Sequence, residues 1–219
     1  MNEEIVNLLE FVTSGEWGKE KGTPQGIDIR VIRSANFTKD HQFNEKEIVI
    51  RSIDGRKLQK KKLLNGDILI EKSGGSPDQP VGRVLFYDLE GEHTCSNFIS
   101  ILRPSKRVDS KFLYYILCNL YSEGVVKNYQ QQTTGIINLQ LGEYLREKIH
   151  FPLLSEQKKI AEILSNIDRL IAITQTKILK HKNIKNGFLS SLIGNLPLNI
   201  KLDDVTKRVS GHTPSKSHE

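Results

Sequence analysis

The chain has 219 residues, a mass of 24.9 kDa and a formal net charge of +6 at pH 7. Its 37% hydrophobic and 26% charged residues are typical of a folded globular protein and exclude bulk disorder. No apolar run approaches the ~20 residues of a membrane span, and two distant cysteines favour neither a disulfide framework nor a zinc site. We therefore expect a cytoplasmic protein that has either one good-sized domain with an appendage or two small domains.

Residues from about 28 to 102 form short β-like runs that are separated by turn-forming residues. The first run, 27–32, alternates apolar and polar side chains as a half-buried strand does. Further runs lie at 47–50, 67–70, 83–87 and 97–102, with turn signals at 54–55, 65–67 and 73–77. A helix is predicted over 109–122, with Asp109 as its N-cap. The pattern predicts an α+β fold with a twisted, mainly antiparallel sheet against which helices pack.

Positive charge is concentrated in one stretch of an otherwise balanced region. Residues 51–83 hold eight basic residues against four acidic ones. The basic residues are Arg51, Arg56, Lys57, Lys60, Lys61, Lys62, Lys72 and Arg83. Such a patch attracts phosphate and is a candidate nucleic-acid contact, although a lysine-rich solvated surface is the plainer interpretation.

Two polar segments have the side chains that read base edges. Gln and Asn pair bidentately with adenine, Ser and Thr pair with any base edge, and glycine permits close backbone approach. The candidate DNA-binding residues, including those of the basic patch, are Lys57, Lys60, Lys61, Lys62, Lys72, Ser73, Gly74, Gly75, Ser76, Gln79, Arg83, Gln130, Gln131, Gln132, Thr133, Thr134 and Asn138. The plainer interpretation of each segment is a flexible, solvated connector.

The strongest local pattern is a helix predicted over 155–193, with Ser155 as N-cap and Gly194 as C-cap. A continuous helix of that span would extend roughly 58 Å. Its apolar seam must be buried, which favours a second long helix over folding back onto a domain of about 150 residues. The seam comprises Ile160, Ile163, Ile167, Leu170, Ile171, Thr174, Ile178, His181, Ile184, Phe188 and Leu192, in which Thr174 and His181 are polar positions able to fix the register.

No enzyme signature is present in the sequence. It has no glycine-rich nucleotide loop, HExxH motif or GxSxG motif. The acidic residues that follow 77–78 lack the nearby lysine of a metal-dependent nuclease, and the cofactor loop and aromatic base clamp of a methyltransferase are missing. We predict a chain without catalytic activity, cofactor or metal site.

Residues 154–168, with the sequence LSEQKKIAEILSNID, resemble the opening of the long helix in the specificity subunits of type I restriction–modification systems. The elements at 65–69, 73–74 and 82–84 resemble recurring parts of the target-recognition domains in that family. The resemblance covers about 1–194. It implies a target-recognition domain over 1–154, a dimerisation helix over 155–194, and the truncated start of a second recognition domain, or a tail, over 195–219.

The resemblance implies a specificity subunit that recognises double-stranded DNA without catalysis. Such a subunit directs modification (methyltransferase) and restriction (endonuclease) subunits to a bipartite target. Full-length members have two recognition domains and two antiparallel helices, so one of each implies a homodimer through the helix. Two alternatives stay open: a recognition fragment of a fused methyltransferase, and a truncated antagonist that sequesters modification subunits without binding DNA.

Overall fold

The computed structural model of the chain describes residues 2–38, 43–76, 79–133 and 135–194. The chain divides into two compact units, Met1–Ile167 and Asp168–Glu219. The first unit is α+β with mainly antiparallel sheets, as predicted. The described part of the second unit consists of the continuation of one long helix.

Most of the predicted elements are present, with shifts of one to a few residues at their ends. In the described residues the strands are β1 (Asn2–Glu4), β2 (Leu9–Ser14), β3 (Gly26–Ile32), β4 (Val49–Asp54), β5 (Ile68–Glu71), β6 (Ser73–Gly75), β7 (Val84–Phe86), β8 (His93–Cys95), β9 (Ile99–Pro104), β10 (Gln130–Thr133), β11 (Ile136–Leu139) and β12 (Lys148–His150). The α-helices are α1 (Gly55–Lys61), α2 (Ser110–Ser122), α3 (Leu141–Tyr144) and α4 (Leu154–Ile193). Short 3₁₀ turns lie at Ile5–Leu8, Ser34–Asn36, Glu45–Glu47 and Val125–Tyr129.

The core is built around an antiparallel sheet with the strand order β2-β9-β5-β7. On β5, Ile68 and Ile70 pack with the buried face of α2, whereas Leu69 packs into a separate cluster on the opposite face. Both faces of the strand are therefore covered, which explains why 68–70 is continuously apolar rather than alternating.

A second sheet, with the order β4-β3-β8, leads directly into helix α1. The turn predicted at Asp54-Gly55 is wrong, because these residues begin helix α1. The Asp54 carboxylate accepts hydrogen bonds from the backbone N–H groups of Arg56 and Lys57, at 3.0 and 3.3 Å, and so caps the helix. Leu58 packs its buried side chain against this sheet. Much of the basic patch is consequently displayed on a helix.

Helix α4 begins at Leu154, one residue earlier than predicted, so Ser155 is not its N-cap. The carboxylate of Glu156 accepts a hydrogen bond from the Leu153 N–H at 3.3 Å and serves as the side-chain cap. The helix ends at Ile193, immediately before Gly194, as predicted. No helix in the described ranges is long and apolar enough to cross a membrane. The predicted segment 195–219 lies outside the described residues.

Candidate nucleic-acid interface

The two polar segments that were predicted as separate loops form a single antiparallel sheet with the order β10-β11-β6, which we call the amide sheet. Ser73 of β6 pairs with Asn138 of β11, and Asn138 pairs with Gln131 of β10. The Ser73 hydroxyl donates a hydrogen bond to Asn138 Oδ1 at 2.5 Å, across 65 positions of sequence. The prediction of flexible loops was therefore wrong, but the structure brings the predicted residues together.

The central strand β11 turns apolar and polar side chains to opposite faces of the amide sheet. Ile137 and Leu139 of β11 are buried in the core, so Asn138 between them points the other way. Cross-strand partners share a face, which places Gln131 and Ser73 beside Asn138. Gln131 Oε1 also accepts a hydrogen bond from Gln140 Nε2 at 3.2 Å. The result is a row of amide and hydroxyl groups with the donors and acceptors that base edges require.

The other predicted residues of these segments occupy the margins of the amide sheet. Gln130 Nε2 donates to the Val81 carbonyl at 3.4 Å, and Gln132 is exposed near the hairpin tip. Gly74 has φ +99° and open space around it, whereas a side chain at Gly75 would collide with Val81 at 2.8 Å. Ser76 is exposed and forms a bridge with Gln79. Thr134 and the side chain of Thr133 lie outside the described residues.

Arg83 was predicted to contact DNA, but it is buried in the core of the first unit. Its Nε and Nη2 atoms each donate to one oxygen of the buried Glu71 carboxylate at 2.9 Å, and Nη1 donates to the Phe37 carbonyl at 2.7 Å. In the amide orientation that satisfies both groups, the Gln79 oxygen accepts from Arg83 Nη2 at 2.8 Å. We therefore exclude Arg83 from the candidate surface and assign it a structural ion pair. Gln79 is held at the edge of that network.

The lysines of helix α1 and its C-cap differ in their partners. Lys57 and Lys61 both contact Glu16, at 3.2 and 2.8 Å, and hydrogen bonding by Lys61 is the main cause of the lowered Glu16 pKa. Lys62 forms an ion pair with Glu92. Lys60 is exposed and has no acidic partner among the residues that the structure describes. It is therefore the lysine of this group with its charge most available to a phosphate.

Lys72 lies between the candidate lysines and the amide sheet. Its ammonium donates to Ser14 Oγ at 2.6 Å, and its backbone carbonyl accepts from the Leu139 N–H at 2.8 Å. Partial burial is the main cause of its lowered pKa, and the nearby Lys61 lowers the pKa further. Within the described ranges, no group of three or more His, Cys, Asp or Glu side chains is placed to hold a metal ion.

The family model for the type I restriction modification DNA specificity domain matches residues 3–181. This chain belongs to that specificity family. The match extends through the strands, the amide sheet and more than half of helix α4.

Relatives and solved structures agree with this assignment. The chain is 25% identical over 192 residues to a putative type I restriction enzyme MjaX specificity subunit of Methanocaldococcus jannaschii, covering 86% of this chain and 44% of the relative. It is 30% identical over 156 residues to the StySPI specificity subunit of Salmonella potsdam, covering 69% and 32%. The fold is similar to that of the S subunit crystal structure from M. genitalium, with a TM-score of 0.59, 20% identity, and 88% and 45% coverage. The chain spans less than half the length of each of these proteins.

In this specificity chain, the residues that carried the resemblance pack the start of helix α4 within the first unit. Gln157 and Ala161 are the buried residues of the helix. The Gln157 amide oxygen accepts from the Asp109 N–H at 2.9 Å, and its nitrogen donates to the Pro152 carbonyl at 2.9 Å. The same side chain therefore ties the start of α4 to the N-cap of α2. Two turns after Gln157, the Tyr115 hydroxyl donates to Ser165 Oγ at 3.3 Å.

The apolar seam of the specificity helix is exposed. Ile160, Ile163 and Ile167 belong to the first unit, yet they lie on a different side of the helix from Gln157 and Ala161. The exposed large apolar residues of the second unit that continue the seam are Leu170, Ile171, Ile178, Ile184, Phe188 and Leu192. Thr174 donates its hydroxyl hydrogen bond to the Leu170 carbonyl at 2.8 Å. Its polarity is thus satisfied within its own helix, which leaves His181 as the polar seam residue able to fix register.

Two exposed aromatic residues near Lys72 and helix α1 were not predicted from the sequence. Trp17 and Phe98 are exposed by 36% and 47%, and the Arg51 guanidinium lies 4.7 Å from the centroid of the Trp17 ring. The available signal was that Trp17, the one tryptophan of the sequence, stands in a polar segment. Phe98 was placed in the β-like run 97–102, whereas the structure puts it in the turn before β9.

Proposed function

We propose that this chain is the DNA-recognition subunit of a type I restriction–modification complex, and that the amide sheet reads the base edges. The observation that carries the proposal is the convergence of Ser73, Gln131 and Asn138 on one face of a sheet in a member of the specificity family. The β10–β11 hairpin is a two-stranded ribbon, an element that the major groove of B-DNA admits. The modification and restriction subunits would supply the catalysis.

Phosphate contacts would position the chain, whereas the amide sheet would supply the sequence preference. Lys60 on helix α1 has no acidic partner among the residues that the structure describes, and Lys72 lies between that helix and the amide sheet. Lys57, Lys61 and Lys62 contribute positive charge that neighbouring carboxylates partly offset. This division assigns Lys60 the main positioning role.

The exposed seam of α4 supports assembly as a homodimer. A long helix with an apolar stripe needs a second long helix to cover it, and a second copy of the chain offers the same surface. Two copies present two identical amide sheets, so the preferred target would be bipartite. The chain matches 44% of the length of the MjaX relative and 45% of the M. genitalium S subunit, which fits one half of a two-fold assembly.

The proposal is tested by selecting the preferred duplex from a random pool with the modification subunit present. Gln131→Ala and Asn138→Ala should each weaken binding to the selected target about 5- to 150-fold, because each removes a bidentate pair with a base. Binding to scrambled DNA should not change. Asn119→Ala, which removes an exposed amide from helix α2, is the matched control and should leave both affinities intact.

Two results would contradict the proposal. Equal losses on the target and on scrambled DNA would show that the amide sheet does not read sequence. A chain that binds the modification subunit while the assembly binds no DNA would be an antagonist instead.

A further inference from the structure

Three connecting segments of the first unit enclose a cavity of about 480 Å³ that opens to the surface, which we call the aromatic pocket. Its walls include Trp17 after β2, Arg33 and Ala35 after β3, and the β8–β9 turn with Asn97 and Phe98. The described lining residues include two aromatic rings and no carboxylate. The pocket therefore combines flat apolar walls with a basic side chain.

Backbone hydrogen bonds hold the three walls in place. The Gly15 N–H donates to the Ile99 carbonyl at 3.0 Å, and the Glu16 N–H donates to the Cys95 carbonyl at 2.8 Å. A Cβ atom at Gly15 would lie 2.2 Å from the Cys95 carbonyl oxygen, so glycine is required for this approach. The segment after β3 is joined to the β8–β9 turn by the Ser96 N–H, which donates to the Ile32 carbonyl at 2.8 Å. The pocket is preformed rather than dependent on a ligand.

The Trp17 ring is fixed as a stacking platform. Arg51 lies 4.7 Å from the ring centroid and donates from Nη2 to the Gly18 carbonyl at 3.3 Å. A cation over the ring restrains it and adds positive charge, while a third of the residue stays exposed to a ligand. Phe98 supplies a second and more exposed ring from the turn between β8 and β9. The Ile99 N–H stabilises this turn by donating to the Ser96 carbonyl at 3.0 Å.

The aromatic pocket lies between the two parts of the proposed DNA surface. The Lys72 N–H donates to the Phe98 carbonyl at 2.9 Å, and the Lys72 carbonyl accepts from Leu139 of the amide sheet. On the other side, Glu16 precedes Trp17 and pairs with Lys57 and Lys61 of helix α1. A ligand that spans helix α1 and the amide sheet would consequently pass over the pocket.

We propose that the aromatic pocket receives a nucleobase displaced from the DNA stack, beside the paired bases that the amide sheet reads; this inference rests on the proposed function. Every base has a π-face that stacks on an aromatic ring regardless of its sequence. Arg33 and Arg51 supply positive charge near the phosphates of a distorted strand. The same charge favours a nucleotide over an apolar side chain of a protein partner.

Trp17 is the sole tryptophan, so its fluorescence reports the occupancy of the pocket directly. The full chain is titrated with the selected target duplex and with the same duplex carrying one unpaired nucleotide at successive positions. An unpaired base costs less to displace from the stack, so at one position it should bind more tightly and quench Trp17 emission more strongly. The expected gain is about 5- to 150-fold, from a stacking contribution of about 1–3 kcal/mol per base.

Variants of Phe98 separate stacking from general binding. Phe98→Ala should abolish the preference for the unpaired nucleotide, while affinity for scrambled paired DNA stays the same. Phe98→Tyr keeps a ring and should retain the preference. Leu64→Ala, an exposed apolar truncation elsewhere in the unit, is the control and should also retain it.

Other outcomes would overturn the inference in distinguishable ways. If Asn138→Ala weakens target binding but no unpaired position is preferred and Trp17 emission does not change, the pocket inference fails and the proposed function stands. Quenching of Trp17 by the modification subunit without DNA would assign the pocket to a protein partner. Failure of the assembly to bind any DNA would overturn both.

Discussion

Lys60 differs from its neighbours because it is exposed and has no acidic partner in the described residues. If it neutralises a phosphate, Lys60→Ala should weaken binding to all DNA sequences alike and reduce the slope of log affinity against log salt by about one. Lys57→Ala should change the slope less, because the Lys57 charge is already offset by Glu16. Binding curves at several salt concentrations, on target and scrambled duplexes, measure both. A change in base preference after Lys60→Ala would contradict this role.

The buried pair of Arg83 and Glu71 leads to a prediction about stability. Removing one partner leaves an uncompensated charge in the core, so Arg83→Met should lower the free energy of unfolding by about 3–5 kcal/mol. Combining it with Glu71→Leu should recover much of that loss, because the buried charge is then absent. Urea unfolding at neutral pH compares the variants. Unchanged unfolding with lost DNA binding would instead restore Arg83 as a DNA contact.

At the scale of elements, the exposed seam of α4 predicts a dimer that depends on particular faces of the helix. Light scattering should give about twice 24.9 kDa for the chain, and Ile167→Asp with Ile171→Asp should give the monomer. Leu179→Asp is the matched control, because Leu179 is also exposed but lies on the side of the helix away from the seam, and it should stay dimeric. A wild-type monomer at high concentration would exclude the homodimer.

The hydroxyl of Thr174 leads to a second prediction about the dimer. Its hydroxyl is already bonded to the Leu170 carbonyl, so Thr174→Val removes no bond between helices and adds apolar surface to the seam. The dimer dissociation constant should therefore stay the same or decrease. A large loss of affinity would show that Thr174 bonds to the partner helix.

The elements also show which parts of the structure can be predicted from local sequence. Helix α2 and the end of α4 were predictable because an N-cap aspartate and a glycine mark them, and apolar spacing fills the interval. The amide strands were not, because a polar run such as 130–133 carries no alternation. The β10–β11 pairing is a local hairpin, but β6 lies tens of residues before β11, so completion of the sheet depends on a tertiary contact. The burial of Arg83 was not predictable either, because its pairing with Glu71 depends on the register of β5 against β7, which the local sequence does not reveal.

For the whole molecule, a two-fold symmetric pair predicts the symmetry of the DNA target. Identical recognition units related by a two-fold axis read the same bases on opposite strands, so the selected target should be an interrupted palindrome. Its spacer should reflect the separation imposed by paired helices, each about 60 Å long. Selection from a random pool with the modification subunit measures both. A target without internal symmetry would mean that the partner is a different specificity chain.

The pairing of β1 with β12 sets Asn2 opposite His150, so the two ends of the β-rich part lie side by side. A segment with adjacent ends can be exchanged as a cassette through two neighbouring junctions, without altering the path of the helix that follows. Both halves of the amide sheet lie inside that segment and would be inherited together. Replacing this segment as a whole would therefore replace the entire proposed reading surface in one step, whereas a single substitution alters one contact.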